Sequence, residues 1–131
     1  MPAALGVKLA LPERPVVALV GDGSAMYTCQ ALWTAAHDRI AAVFVIFNNS
    51  SYRILKQRLV AQRGLAAQAD RFVGMELTDP AIDYVGLARS LGVAAERATS
   101  VHDVTDLVTK GLKSHAPLLI DVPVDRNYKP V

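Results

Sequence analysis

Residues 16–49 read VVALVGDGSAMYTCQALWTAAHDRIAAVFVIFNN and contain two short apolar runs, each followed at once by polar residues. The first run, 16–20, leads into Gly21-Asp22-Gly23-Ser24, and the second, 43–47, leads into Asn48-Asn49. Continuous apolar runs rich in β-branched residues are typical of strands that are covered on both faces, as in a parallel sheet. The stretch therefore predicts two strands whose carboxyl ends carry polar loops.

The rest of the chain continues this alternation of strand and helix patterns. Further strands are predicted at 118–122 and at 93–98. Helical patterns occupy 25–38, 51–63, 79–92 and 100–115, with Ser24, Asp79 and Ser100 as predicted N-caps, Pro80 at a first helical position and Gly92 as a stop. Strands that alternate with helices imply parallel crossovers. We predict a single α/β domain over residues 1–131, doubly wound, with a mostly parallel sheet and helices on both faces.

One long segment lacks clear periodicity. Residues 64–80, GLAAQADRFVGMELTDP, fit neither a strand nor a helix pattern along their length. Long irregular segments in compact α/β folds are often lids or binding elements. We expect the same of this segment.

Composition narrows the class of protein. The chain has 131 residues, of which 52% are hydrophobic, enough for one domain with a core. Its longest apolar run, 40–47, is far short of the roughly 20 residues that a membrane span needs, and the first residues do not form a secretory signal. Cys29 is the single cysteine, so no internal disulfide can form. These features predict a cytoplasmic protein that does not enter a membrane.

Charge gives no support for nucleic-acid binding. The net charge of +2 is too small to favour such a partner. A basic cluster at 53–63 has Leu55 and Leu59 at helical spacing, which favours an amphipathic helix with a solvated basic face. We expect no nucleic-acid partner.

Asp22 is a carboxylate at a position that otherwise fits a phosphate. Ligands of open α/β sheets bind beyond the carboxyl ends of the strands, and a helix N-terminus there favours an anion. A carboxylate repels such an anion unless a divalent cation lies between them, and Mg²⁺ is commonly held by one or two carboxylates, neutral oxygens and phosphates. The asparagines at 48–49 offer neutral oxygens. Asp22 is therefore a candidate metal ligand, and the metal would carry the phosphate.

Other phosphate motifs fit less well. A dinucleotide fingerprint requires a third glycine where Met26 stands and an acidic residue where the asparagines stand. A P-loop requires Gly-Lys-Ser/Thr, which the chain lacks. For residues 21–23 taken alone, a tight turn with a polar surface residue is the simpler interpretation. The pairing with the asparagines is what favours a metal site.

The two motifs together resemble the thiamine-diphosphate signature, in which Gly-Asp-Gly-Ser precedes an apolar strand and Asn-Asn. The surrounding chain is similar to the C-terminal cofactor domain of the benzoylformate decarboxylase and acetolactate synthase superfamily. The resemblance extends over residues 1–24, 31–49, 82–93 and 116–125. It implies thiamine diphosphate and Mg²⁺ as cofactors.

The resemblance also implies a role for individual residues. The side chains of Asp22 and Asn49 and the main-chain oxygen of Ser51 would bind Mg²⁺. For Asn48, a turn or strand-end role is implied instead. Residues that would meet the cofactor or the pocket are Gly21, Gly23 and Ser24 at the diphosphate, and Tyr27 and Leu55 near the cofactor or substrate, with core packing as the alternative for these last two.

The same resemblance implies that the chain is a C-terminal fragment of a longer enzyme. The catalytic glutamate of the family belongs to a separate N-terminal pyrimidine-binding domain, usually of a partner subunit, so this chain holds no catalytic residue and is expected to be inactive alone. The implied activity is that of a 2-keto acid decarboxylase of benzoylformate decarboxylase type in a homo-oligomer. Three alternatives stay open: an acetolactate synthase-like carboligase, the small subunit of a split enzyme, and a noncatalytic α/β interaction domain.

Overall fold

A four-stranded, all-parallel sheet forms the centre of the computed structural model, which describes residues 1–127. The strands lie in the order β1-β2-β4-β3. Their bounds are β1 Val17–Gly21, β2 Val43–Asn48, β3 Ala94–Arg97 and β4 Leu118–Pro123. All four strands predicted from the sequence are confirmed, each to within one or two residues at its ends.

The register places the carboxyl ends of the strands at one edge of the sheet. Gly21 of β1 is opposite Phe47 of β2. Arg97 of β3 is opposite Asp121 of β4, and Asn48 of β2 is opposite Pro123. The loops that follow β1 and β2 therefore leave the sheet side by side, as the two motifs require.

Seven helices connect or flank the strands in residues 1–127: α1 Pro2–Ala10, α2 Asp22–Met26, α3 Ala31–His37, α4 Arg53–Ala61, α5 Leu65–Gln68, α6 Tyr84–Ser90 and α7 Val101–Lys113. The larger core cluster buries Phe44 and Ile46 of the sheet with side chains of α1, α2, α3 and α6. The smaller cluster buries Val43, Val45 and Ile120 beneath α7. Helices thus cover both faces of the sheet, and the predicted α/β class is confirmed.

The helix predicted at 25–38 is wrong in its start and its continuity. The N-cap is Gly21, with extended backbone, and α2 begins at Asp22, so Ser24 is not a cap. The chain leaves the helix after Met26 and re-enters it at Ala31. The intervening residues include Thr28 and Cys29, both weak helix formers. As a result, α2 is a short separate helix that begins directly at the carboxyl end of β1.

The helix predicted at 79–92 begins later than expected. Its N-cap is Asp83, whose Oδ1 accepts a hydrogen bond of 2.9 Å from the amide of Gly86. Asp79 has a φ of +56°, which is incompatible with the extended backbone of an N-cap, and Pro80 is not helical. Gly92, with a φ of +83°, does follow the helix end as predicted.

The last helix follows its sequence signals. Ser100 is the N-cap of α7, and its hydroxyl accepts from the amide of Asp103 at 3.1 Å. The Asp103 carboxylate accepts in return from the Ser100 amide, which completes a capping box.

Among the helices of residues 1–127, none is long and apolar enough to span a membrane.

Candidate functional site

Asp22 is buried at the carboxyl end of β1, with only 3% of its surface exposed. Its Oδ1 accepts a hydrogen bond of 2.8 Å from the amide of Gly23, and its Oδ2 accepts one of 3.3 Å from the amide of Ser51. Within residues 1–127 no lysine, arginine or histidine forms an ion pair with it. A buried carboxylate without a cationic partner carries a large desolvation cost. A cation bound at this place would offset that cost.

The loop after β2 is folded onto its own asparagines. Asn49 Oδ1 accepts from the Ser51 amide at 2.9 Å, and Asn48 Oδ1 accepts from the Ser50 amide at 3.1 Å. Ser50 has a φ of +53°, in the left-handed region that side chains rarely occupy. The turn brings Ser51 to Asp22, and the Ser51 amide also links Asn49 to this pair. Asn48 has the turn and strand-end role that the sequence indicated.

Ser51 also anchors the segment 64–80, which contains the short helix α5, not predicted from the sequence, and is otherwise irregular. It is buried, its hydroxyl donates to the carbonyl of Met75 at 3.0 Å, and it forms an isolated antiparallel bridge with Glu76. Glu76 in turn forms ion pairs with Lys56 and Arg126, and the hydrogen bond from Lys56 is the main cause that lowers the pKa of its carboxyl. The segment predicted to be a lid or binding element therefore packs against the candidate metal loop.

Gly23 has no room for a side chain. A Cβ there would lie 2.7 Å from Cδ1 of Tyr52, so the Tyr52 ring occupies that space. The pKa of Tyr52 is raised by burial first, and then by the neighbouring Tyr27 and Asp22. Tyr52 therefore links the loop after β2 to the loop after β1. This contact between Tyr52 and Gly23 was not predicted from the sequence, because the two residues are far apart in the chain and belong to no common motif.

The residues assigned to the diphosphate line the start of α2. Gly21 ends β1 with extended backbone, Gly23 is buried, and Ser24 is exposed. Because Ser24 is exposed and is not the N-cap of α2, its hydroxyl is accessible from solvent. The Gly23 amide donates to Asp22. Ser24 lies in the same helical turn as Asp22.

Tyr27 and Leu55 are not core residues. Tyr27 is 73% exposed just beyond α2, and Leu55 is 47% exposed in the first turn of α4. The core-packing alternative for both is wrong, and their role at a pocket stays a prediction. The predicted division of α4 into an apolar and a solvated basic face is wrong at two positions: Leu55 is exposed, and the Lys56 side chain is largely covered and forms an ion pair with Glu76.

The donor set around Asp22 fits a hard divalent cation. Asp22, Asn49 and Ser51 supply a carboxylate, an amide oxygen and a main-chain oxygen, which are the ligand types that Mg²⁺ takes together with phosphates and water. Hydrogen bonds already join the three residues to one another. None of the three groups is a histidine or thiolate, so the set favours Mg²⁺ over a softer metal.

Two further polar residues lie at this edge and were missed in the sequence. Asp121 is 3% exposed on β4, and Asn48 Nδ2 donates to its Oδ1 at 3.0 Å. The Tyr84 hydroxyl is buried without a hydrogen-bond partner in the described residues, and burial raises its pKa, with Asp22 and Asp121 contributing. A carboxylate inside the apolar run LLIDV was a signal for Asp121. Tyr84 gave none, because a tyrosine on a helix face is ordinary.

Comparison with known proteins identifies the family of the chain. Residues 1–122 match the family model described as thiamine pyrophosphate enzyme, C-terminal TPP binding domain. The benzoylformate decarboxylase of Pseudomonas aeruginosa is 37% identical over 123 residues, 94% of this chain and 22% of the relative. An acetolactate synthase large subunit of Parasynechococcus marenigrum is 32% identical over 126 residues, 96% of this chain and 20% of the relative.

A solved structure has the same fold. The thiamine diphosphate-dependent 4-hydroxybenzoylformate decarboxylase of Rhodococcus jostii RHA1 superposes with a TM-score of 0.88 at 35% identity, over 98% of this chain and 23% of that chain. The chain thus spans about a fifth to a quarter of the length of the relatives it matches. From its sequence, its fold and its match over residues 1–122, the chain belongs to the family of C-terminal thiamine pyrophosphate-binding domains of thiamine pyrophosphate enzymes.

Proposed function

We propose that the chain holds the diphosphate of thiamine diphosphate through a bound Mg²⁺ ion. The observation that carries this proposal is the burial of the Asp22 carboxylate beside Asn49 and Ser51, with no cationic side chain paired to it in residues 1–127. The ion would neutralise Asp22 and attract the diphosphate at the same place. Family membership supports the cofactor, and the oxygen donors support the metal.

Each ligand has a distinct part in this proposal. Asp22 supplies the negative charge, the Asn49 side chain supplies a neutral oxygen, and Ser51 supplies its main-chain oxygen. The Ser51 carbonyl belongs to the peptide whose N–H is that of Tyr52, and this amide donates to the Met75 carbonyl at 2.9 Å, so the orientation of the carbonyl is held before an ion arrives. Such a preorganised loop reduces the ordering cost of binding.

The start of α2 would contact the diphosphate itself. The exposed Ser24 hydroxyl is available as a donor, and the first turn of the helix adds the partial positive charge of its amides. Gly21 is the last residue of β1 and the N-cap of α2, next to the proposed ligand. Tyr27 and Leu55, both exposed on this side, are proposed to line the cofactor or substrate pocket.

The full enzyme is proposed to be a 2-keto acid decarboxylase of benzoylformate decarboxylase type. When bound, thiamine diphosphate serves as the electron sink for the carbanion left when such an acid loses carbon dioxide. The residues of this chain anchor the cofactor, while a separate pyrimidine-binding domain, commonly of a partner subunit, supplies the activating glutamate. We propose a cytoplasmic homo-oligomer, inactive as this domain alone.

A carboligase of acetolactate synthase type is the second candidate. It is supported by the 32% identity to an acetolactate synthase large subunit over nearly the whole chain. Both candidates use the same anchor for the diphosphate. They would differ in their product, an aldehyde from one 2-keto acid or a carboligation product from two, which product analysis of the complete enzyme with a single 2-keto acid would distinguish.

Calorimetric titration of thiamine diphosphate tests the anchor directly. We expect binding in the presence of Mg²⁺, loss of binding with a chelator, and loss of binding in Asp22→Asn, which keeps the size of the side chain but removes its charge. Asp38→Asn is a matched control, because Asp38 caps the end of α3 away from this edge. Binding that persists with chelator or in Asp22→Asn would refute the proposal. A chain that binds no cofactor even when assembled with its pyrimidine-binding domain would favour the noncatalytic alternative.

A further inference from the structure

Asp121 is a buried carboxylate that the proposed metal site does not use. It is 3% exposed and lies in β4, where the preceding residues Leu118–Ile120 are all buried and apolar. A carboxylate in such a strand is costly unless hydrogen bonds and an opposite charge compensate it. The compensating partners of Asp121 therefore indicate what it does.

One partner is Arg97, and the other is Asn48. Arg97 Nε lies 3.6 Å from Asp121 Oδ2 across the β3-β4 pair. Asn48 Nδ2 donates to Asp121 Oδ1 at 3.0 Å from the end of β2. Because a carboxylate can only accept, this bond fixes which end of the Asn48 amide faces Asp121. The Asn48 oxygen must then face the opposite way.

That oxygen holds the turn that leads to the proposed metal ligands. Asn48 Oδ1 accepts from the Ser50 amide at 3.1 Å and from the Ser50 hydroxyl at 3.2 Å. Ser50 has a φ of +53°, a conformation that the surroundings must maintain. The next residue, Ser51, is the one whose amide binds Asp22 and Asn49.

We infer that Asp121 is a positioning residue for the metal loop: through Asn48 it fixes the turn at Ser50 that presents Asn49 and the Ser51 carbonyl to the cation. The inference rests on the proposed Mg²⁺-diphosphate function. Asp121 itself contacts neither ion nor cofactor in this arrangement. It acts through the side-chain amide of Asn48, whose nitrogen donates to Asp121 and whose oxygen accepts from Ser50.

The experiment combines two readouts on the same variants. Hydrogen exchange of the Ser50 and Ser51 amides reports on the turn, and calorimetry reports on Mg²⁺-dependent binding of thiamine diphosphate. Asp121→Ala should speed both exchange rates and weaken binding by about 10- to 100-fold, the usual effect of losing a residue behind a metal ligand. Asp121→Asn, which can still accept from Asn48, should retain most of the affinity.

An exchange of the two side chains separates orientation from general packing. Asn48→Asp alone places a second carboxylate against that of Asp121, and the repulsion should weaken the Mg²⁺-dependent binding of thiamine diphosphate. The double variant Asn48→Asp/Asp121→Asn restores one donor and one acceptor at the same place and should recover much of the affinity. Asp103→Asn is the stability control, because it weakens the cap of α7 without contact to the loop. It should leave binding unchanged.

The outcomes are distinguishable. If the wild-type chain binds but folded Asp121→Ala binds equally well, with unchanged exchange at Ser50 and Ser51, the positioning role is refuted and the anchor proposal stands. A double variant no better than Asn48→Asp alone would also refute it, because orientation would then not matter. If the wild-type chain, assembled with its pyrimidine-binding domain, shows no Mg²⁺-dependent binding, the proposed function fails and the role of Asp121 fails with it.

Discussion

The amide of Ser51 donates to Oδ2 of Asp22 over 3.3 Å, joining residues 29 positions apart in the chain. This bond connects the loops that follow β1 and β2, which the parallel register already places side by side. It places a buried carboxylate next to Ser51, whose main-chain oxygen is a second proposed metal ligand. Two separate sequence motifs thereby become one candidate site.

Ser51 and Asn49 should respond differently to the loss of their side chains. Asn49→Ala removes a proposed metal ligand and should lower the Mg²⁺-dependent affinity for thiamine diphosphate by more than about tenfold, since even residues behind a ligand have effects of that size. Ser51→Ala keeps the main-chain oxygen and loses only the hydroxyl bond to Met75, so a small change is expected. Calorimetry of both variants checks this, and equal losses would contradict it.

Gly23 and Tyr52 should be energetically coupled. Gly23→Ala places a Cβ against the Tyr52 ring and should destabilise the fold by about 1–3 kcal/mol, as overpacking does. In a Tyr52→Ala background the same change should be neutral or favourable, because alanine is the better helix former. Urea unfolding of the two single variants and the double variant measures this coupling. Additive effects would show that the ring does not occupy the space over Gly23.

Two glycines in helices should give opposite results when changed to alanine. A Cβ at Gly111 of α7 would lie 2.7 Å from Val43 Cγ2 and 2.9 Å from Leu118 Cδ2, so Gly111→Ala should cost about 1–3 kcal/mol of unfolding free energy. Gly6 of α1 has nothing within 4 Å, and Gly6→Ala should gain about 0.5–1 kcal/mol. Equal effects would contradict the close packing of α7 on the sheet.

The capping box of α7 should make stability depend on acid pH. Hydrogen bonds from Thr99, and then from Ser100, lower the pKa of Asp103 from 3.8 to about 2. A carboxyl whose pKa is lower in the folded state stabilises the fold above its usual pKa, and this contribution is lost as the pH falls towards 2. The stability difference between wild type and Asp103→Asn should therefore be largest above pH 4 and shrink towards pH 2. Urea unfolding across that range measures it, and a constant difference would contradict the assignment.

Local sequence signals predicted most of the fold. The four apolar runs became the four strands, and Ser100 and Gly92 became the cap and the stop that their residue types favour. The predicted starts of two helices, after Ser24 and at Asp79, were wrong. Asp79 and Asp83 are both plausible caps, and only the tertiary path of the chain selects Asp83.

Contacts between distant residues could not be predicted from local patterns. The motifs located Asp22 and Asn49, but the Tyr52 ring over Gly23 and the bond from Asn48 to Asp121 join residues 29 and 73 positions apart. Such pairs depend on the order and register of strands, which no local pattern encodes. The break between α2 and α3 was likewise hidden, because residues 27–30 continue an otherwise helical pattern.

The most direct measurement is a crystal structure of the chain with thiamine diphosphate and Mn²⁺ in place of Mg²⁺, with the ion located by its anomalous scattering. We predict one ion bound by the Asp22 carboxylate, the Asn49 side-chain oxygen, the Ser51 main-chain oxygen and the diphosphate, at the distances of about 2.0–2.2 Å usual for small hard cations. An ordered cofactor whose diphosphate is held without an ion at these three residues, or an ion bound elsewhere, would contradict the account.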